Sequence, residues 1–340
     1  MNDSTIAPSP AAAAIPYVRP DVARFLQVLN NAVGAKLHEL EAPAARQLYS
    51  AGKDLTDLPV GELATIRDLA IPGPAGDVPA RLFDAAERRE PGPAVVFFHG
   101  GGFVIGDLDS HAGFCAEMAR VLGLPVVSVD YRLAPEHPWP AAPDDCEAAA
   151  RWVAGSPAVL GRKVTSLVLA GDSAGGTLTV TTALALRDAP AAVPVIAQGP
   201  IYPAVDSSKV YPSYEQFADG FLLTRASMDW FSDAYRADIE HMRGSPLKAD
   251  LAGMPPAAIV TASLDPIRDQ GRAYAAALIE AGVPVIYREA VGTVHGFVTL
   301  RKAIPSAVGD VAAYLAALKT VIAEAEGNRV MAQAAGPAAG

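Results

Sequence analysis

The chain has 340 residues, 51% of them hydrophobic and 19% charged, and a net charge of -10 at neutral pH. Its length and apolar content suit one large core carrying a smaller appendage. An acidic balance without a basic tract excludes general binding along a nucleic-acid backbone, and no run of about 18 strongly apolar residues reads as a membrane span. The N-terminal MNDSTIAPSPAAAAIPYVRP has no basic start and no long apolar stretch, so no secretory signal is expected and the expected location is the cytoplasm. Cys115 and Cys146, in GFCAEMA and DDCEAAA, read as buried free thiols, with a disulfide as the alternative, and they lack metal-ligand spacing.

Residues 1–20 are rich in Ala and Pro and read as loosely ordered. From Asp21 to about Leu48 the apolar spacing (Val22, Phe25, Leu26, Leu29, then Val33, Leu37, Leu40) predicts helix. TIRDLAI and VPARLFDA predict two strands joined by the turn PGPAGD, antiparallel at one edge of a sheet. AVVFFH, LPVVSVD, TSLVLAG, VPVIAQ, AAIVTA and VPVIYREA follow as short buried strands. Helices are predicted between them at about 110–122, up to Ala154, Ala174 to about Leu186, and about Arg268 to Glu280, with a last one from about Ala307 to Glu324. Continuous Val/Ile runs alternating with helices predict a mostly parallel sheet covered on both faces. Between Tyr202 and Ala257 the alternation breaks. YEQFADGFLLTRASMDWFSDAYR predicts a small helical insertion over one end of the sheet, and the N-terminal helix is expected to join it.

Gly171-Asp172-Ser173-Ala174-Gly175 is a G-x-S-x-G. The pattern alone is weak, but a buried strand precedes it and an Ala/Leu-rich helix follows. Small flanking residues permit a tight strand-to-helix turn that lifts Ser173 above the sheet edge, at a helix N-terminus favourable to developing negative charge. The alternative is a serine that merely caps the helix.

A serine hydroxyl is a weak nucleophile without a base. Of six histidines, only His241 and His295 follow Ser173, the order expected on such a sheet. His241 lies in IEHMRGSP and reads as a surface residue. His295, in GTVHGF after a core strand, is the expected base. AAIVTASLDPIRDQ offers two acids. Asp265, immediately after the strand, is the expected orienter of the imidazole. Asp269, in the first helical turns, reads as structural.

In FFHGGGFVIGD three glycines follow a strand and a histidine. Attack by Ser173 on an acyl carbon places negative charge on the carbonyl oxygen. The N–H groups of Gly101 and Gly102 reach that oxygen only if side chains stay away, and the N–H of Ala174 adds a third donor. Gly100 is assigned to the turn, His99 to orienting the loop and Phe103 to local packing.

Together HGGGF, GDSAGG, DPIRD, VHGF and YRLAPEHPWPAAPDD resemble the hormone-sensitive-lipase-like bacterial esterases, over roughly residues 60–325. The resemblance implies the α/β-hydrolase fold, an eight-stranded mostly parallel sheet with flanking helices and a helical cap. It implies residues 1–55 as an N-terminal cap segment, 56–205 and 241–326 as the catalytic core, 206–240 as a helical cap insertion and 327–340 as a flexible tail. It further implies a serine carboxylesterase for short- to medium-chain esters, with Ser173, Asp265 and His295 catalytic, Gly101, Gly102 and Ala174 as oxyanion donors, and no cofactor or metal. The partner is a small ester; no nucleic acid or membrane is expected. GDSAG-type relatives often dimerise through the last strand and its neighbouring helix, here VPVIYREA and the helix near Ala307–Glu324.

The same residues would serve an amidase, a lactonase or an acyltransferase. A non-catalytic ligand receptor on this fold is a different class; such relatives lose the histidine, which is present here as His295. Arg132, Glu136 and His137 read as a buried loop network near the substrate. Trp139, Phe217, Phe221 and Trp230 line either the substrate route or the core. Asp144 and Asp145 read as carboxylates capping a helix.

Overall fold

The computed structural model describes residues 16–335. In chain order the main elements are α1 (Pro20–Asn30), α2 (Ala42–Ala51), α3 (Lys53–Thr56), β1 (Thr65–Gly73), β2 (Gly76–Asp84), β3 (Gly92–Phe98), α4 (Ala112–Leu122), β4 (Val126–Val129), α5 (Ala141–Ala154), β5 (Val164–Asp172), α6 (Ala174–Asp188), β6 (Val195–Ile201), α7 (Pro212–Gln216), α8 (Arg225–Tyr235), β7 (Ala257–Leu264), α9 (Arg268–Glu280), β8 (Val285–Val294) and α10 (Ala307–Ala334). The eight strands form one sheet in the order β1-β2-β4-β3-β5-β6-β7-β8. β1 and β2 pair antiparallel at one edge as predicted, β2 pairs antiparallel with β4, and the pairings from β4 through to β8 are parallel.

Strand periodicity divides the core in two. On β3, Ala94, Val96 and Phe98 face the cluster that holds Cys146, Leu178 and Tyr274 of α5, α6 and α9. Val95 and Phe97 face the cluster of Val22, Phe114 and Leu315 from α1, α4 and α10. All of these side chains are buried, so burial on both faces selects the continuous apolar run read from sequence. Cys115 and Cys146 are buried and unpaired.

The N-terminal helical reading from Asp21 to Leu48 is corrected. α1 ends at Asn30, a single 3-10 turn spans Leu37–Glu39, and α2 starts afresh at Ala42. Gly34 takes φ 134°, and Pro43 stands in the first turn of α2, where its missing N–H is harmless but through which a continuous helix could not run. Val33, read as part of an apolar face, is fully exposed. In the insertion only α7 and α8 are helical. Thr224 starts α8 by accepting the Ser227 N–H at 3.2 Å. At the other end α10 continues to Ala334, so the tail expected from residue 327 is helical up to that point. Residues 1–15, part of the segment read as loosely ordered, and 336–340 lie outside the described residues.

Candidate active site

The parallel strands open their C-terminal ends on one edge of the sheet, and three of them deliver the groups predicted from sequence. β5 ends at Asp172 and α6 begins at Ala174, so the chain turns from strand to helix through the single residue Ser173. Ser173 has φ 56° and ψ -117°, a conformation costing a non-glycine residue about 1–3 kcal/mol. Its side chain makes no capping bond to α6, which removes the helix-cap alternative. The turn closes because two neighbours lack side chains. A Cβ on Gly175 would overlap the Phe98 carbonyl of β3, and one on Gly171 the Gly175 carbonyl.

Ser173 Oγ lies 2.8 Å from His295 Nε2. His295 directly follows β8, and its Nδ1 lies 2.7 Å from Asp265 Oδ2, just past β7. The other oxygen of Asp265 accepts the Ile267 N–H at 2.9 Å, and the carboxylate is fully buried. With Nδ1–H donating to Asp265, Nε2 is left with a lone pair toward the serine hydroxyl. The ring of Tyr202 packs against His295 with centroids 4.5 Å apart. Asp269 stands apart from this chain of contacts. It accepts the Ser213 N–H at 2.9 Å and pairs with Arg268 and Arg272, fastening α7 to α9. His241 is exposed and packs edge-on to Trp139.

The glycine loop lies alongside. Gly101 has φ 119° and Gly102 φ 58°, both in the region that favours glycine. The Gly101 carbonyl accepts the N–H groups of Val104 and Ile105 at 3.0 and 2.9 Å, curling the loop tightly. Among the described residues, the N–H groups of Gly101, Gly102 and Ala174 have no protein acceptor. All three residues line the cavity that contains Ser173 and His295. Beneath the loop, Gly100 N–H donates to Asp172 Oδ1 at 2.8 Å, and a Cβ on Gly100 would overlap that carboxylate. His99 Nδ1 donates to the Gly100 carbonyl at 2.7 Å, while the His99 carbonyl accepts from Tyr131 Oη at 2.7 Å. These contacts fit the orienting role read for His99.

Asp172, at the first of the two variable positions of the G-x-S-x-G, is buried and lies 3.2 Å from His111 Nε2. Burial alone would raise its pKa. The His111 charge and hydrogen bond, followed by His99 and the Gly100 N–H, outweigh burial and hold the carboxyl below its usual range. His111 precedes Ser173 in the chain, outside the order expected for a catalytic base; its closeness to the glycine motif is the one sequence signal for a role at the site.

The cavity has a volume of about 1080 Å³. Leu29, Tyr49 and the 32–38 loop contribute from the N-terminal segment, and Leu222, Met228, Trp230 and Phe231 from the insertion. The aromatic readings are resolved residue by residue, and two others, the loop network near the substrate and the helix-capping carboxylates, are corrected. Trp230 lines the cavity, but Trp139, Phe217 and Phe221 do not, and Phe217 is buried in the core. Phe103, read as packing, stacks on Tyr235 at 3.7 Å and also lines the cavity. Arg132, Glu136 and His137 do not line it: Arg132 pairs with Asp145, and Glu136, half-exposed, pairs with Arg46. Asp145 is therefore a buried ion-pair partner rather than a helix cap, and Asp144 pairs with Arg243. Phe231 was not singled out, since nothing in its spacing along α8 distinguishes it from its neighbours.

A family model described as the alpha/beta hydrolase fold matches residues 95–299. The chain belongs to this α/β hydrolase family. It is 40% identical over 281 residues to esterase LipI of Mycobacterium tuberculosis, covering 79% of this chain and 86% of that protein. It is 35% identical to an ethyl acetate hydrolase of Pseudomonas putida, covering 85% and 95%. Among solved structures, a thermostable esterase from Pseudomonas putida superposes with a TM-score of 0.85 at 30% identity, covering 91% of this chain and 99% of that one. The hormone-sensitive-lipase-like resemblance drawn from the motifs stands, and this α/β hydrolase is of the esterase type. No described helix is long and apolar enough to cross a membrane. Among the described residues no cluster of three or more His, Cys, Asp or Glu side chains could hold a metal ion.

Proposed function

We propose that the protein is a serine carboxylesterase acting on short- to medium-chain carboxylic esters through an acyl-enzyme. Ser173 Oγ attacks the ester carbon while His295 Nε2 takes its proton. Asp265 holds the imidazole tautomer and offsets the imidazolium charge. The N–H groups of Gly101, Gly102 and Ala174 meet the developing oxyanion. His295 then protonates the leaving alcohol, and water activated by the same histidine releases the acid. The observation that carries this reading is the continuous contact from Ser173 through His295 to Asp265, 2.8 and 2.7 Å, beside three N–H groups without a protein acceptor.

Ester rather than amide or lactone hydrolysis is supported by the relatives' names, and the short-acyl preference by the ethyl acetate hydrolase among them. The segment 1–55, of which residues 16–55 are described, and residues 206–240 act as the cap, a reading supported by the share of the cavity lining that the described residues contribute. The test is turnover across an acyl-length series beside Ser173→Ala. A maximum at short chains with no turnover by the variant is expected; best turnover on emulsified long-chain triglyceride would reject the substrate range.

The homodimer and the cytoplasmic location are also proposals. β8 is an edge strand. Arg19 already bonds to the Val291 and Gly292 carbonyls, at 2.7 and 3.1 Å, which leaves the earlier part of β8 for a second copy. Sedimentation showing only monomer would reject the dimer. The unpaired thiols of Cys115 and Cys146 suit a reducing compartment.

A further inference from the structure

Arg46, on α2, is far in sequence from every motif of the site, yet its guanidinium reaches the end of the glycine loop. Nε donates to the Val104 carbonyl at 2.7 Å and Nη2 to the Ala134 carbonyl at 2.8 Å. Nη1 and Nη2 also grip both oxygens of Glu136, at 2.9 and 2.5 Å. The two carbonyls belong to one assembly. Ala134 N–H donates to the Phe103 carbonyl at 2.8 Å, and Val104 N–H donates to the Gly101 carbonyl at 3.0 Å. Arg46 therefore holds, through Val104, the residue that closes the turn on Gly101, and through Ala134, the strip that braces Phe103.

The other side of the loop is fixed by the protein core, through Gly100 N–H on Asp172. The Val104 side is held by a group from the N-terminal segment, the Arg46 guanidinium. A planar guanidinium satisfies two carbonyls and a carboxylate in one geometry, which an ammonium cannot do. We propose that Arg46 is a positioning residue for the oxyanion donors: it holds the glycine loop so that Gly101 and Gly102 present their N–H groups to the reacting carbonyl. This rests on the oxyanion reading of the two glycines given above. An N–H displaced by a fraction of an ångström loses much of what it contributes in the transition state and little in the ground state.

The test is steady-state kinetics on a soluble short-chain ester with the full-length chain. Arg46→Ala should lose about tenfold in kcat with KM changed less than about twofold. Arg46→Lys, which keeps the charge and one bond, should fall between Arg46→Ala and wild type. A low, non-denaturing concentration of guanidinium should restore part of the Arg46→Ala rate, and sodium chloride at equal ionic strength should not. Glu136→Gln keeps both carbonyl bonds and should stay near wild type. A folded Arg46→Ala with wild-type kcat would overturn the proposal. So would a Glu136→Gln loss as large as that of Arg46→Ala, because docking of the segment would then be the relevant effect. Should Arg46→Ala fail to fold, Arg46→Lys decides, and an unchanged kcat there rejects the role. Ser173→Ala in the same assay separates the two readings. Turnover by that variant means the hydrolase mechanism is wrong, whereas an inactive Ser173→Ala beside an unaffected Arg46→Ala rejects Arg46 alone.

Discussion

The ring of Phe231 fills the volume that a Cβ on Gly102 would need. A helix of the insertion thus packs directly on a glycine that lines the cavity and whose N–H has no acceptor among the described residues. Two constraints meet at Gly102: this contact, and a φ of 58°.

Gly102→Ala should therefore cost about two orders of magnitude in kcat, near 3 kcal/mol, with a smaller effect on KM. The backbone strain adds about 1 kcal/mol of lost stability, read by equilibrium unfolding. Adding Phe231→Ala removes the overlap, and the double variant should recover part of the lost kcat. A folded Gly102→Ala with unchanged kcat would move the donor role to Gly101 and Ala174.

His295→Ala should reduce kcat by about 10⁴-fold or more while leaving the unfolding transition close to wild type. His241→Ala is the matched control and should keep full activity. Turnover by the His295 variant at near wild-type rate would refute the base assignment.

The two candidate acids separate in the same way. Asp265→Asn should lower kcat by about 10³- to 10⁴-fold, since the amide favours the wrong imidazole tautomer. Asp269→Asn should instead weaken the fastening of α7 to α9, lowering the melting temperature while kcat stays within about twofold of wild type. Equal kinetic losses in the two variants would contradict the separation seen in the geometry.

Asp172 makes a prediction about acid stability. Its folded pKa is depressed, through His111 and the other contacts that overcome burial. A depressed carboxylate stabilises the fold above its unfolded pKa of about 3.9, and that contribution is lost as pH falls through the folded value. Unfolding measured from neutral to strongly acidic pH should show Asp172→Asn less stable than wild type at neutral pH, with the gap closing at the acid end. A gap that widens toward acid would reverse the sign and reject the assignment.

Local signals were enough for the sheet and for the reacting groups. The β3 run AVVFF and the β5 run VLA are apolar on both faces because both faces are covered, so the parallel sheet was legible. Ser173 could be picked out because a strand-to-helix turn this tight demands small neighbours, and the overlaps at Gly171 and Gly175 give the reason. Asp265 and His295 each stand just past a core strand, where the fold expects chemistry.

Contacts between distant segments were not legible. The chain from Asp21 to Leu48 carries a helical apolar pattern, but periodicity does not count the breaks at Asn31, Gly34 and Pro43, nor say that Val33 faces water. The choice of Asp145 over solvent, of Phe231 over its neighbours on α8, and of Arg46 as the clamp on Val104 depends on which surfaces the completed fold brings together. A charged or aromatic side chain has no sequence signature for its partner, because its pairing energy is realised only when the partner arrives from elsewhere in the chain. The candidate site residues could be read from local turns; the partners of Phe231, Asp145 and Arg46 were decided by tertiary packing.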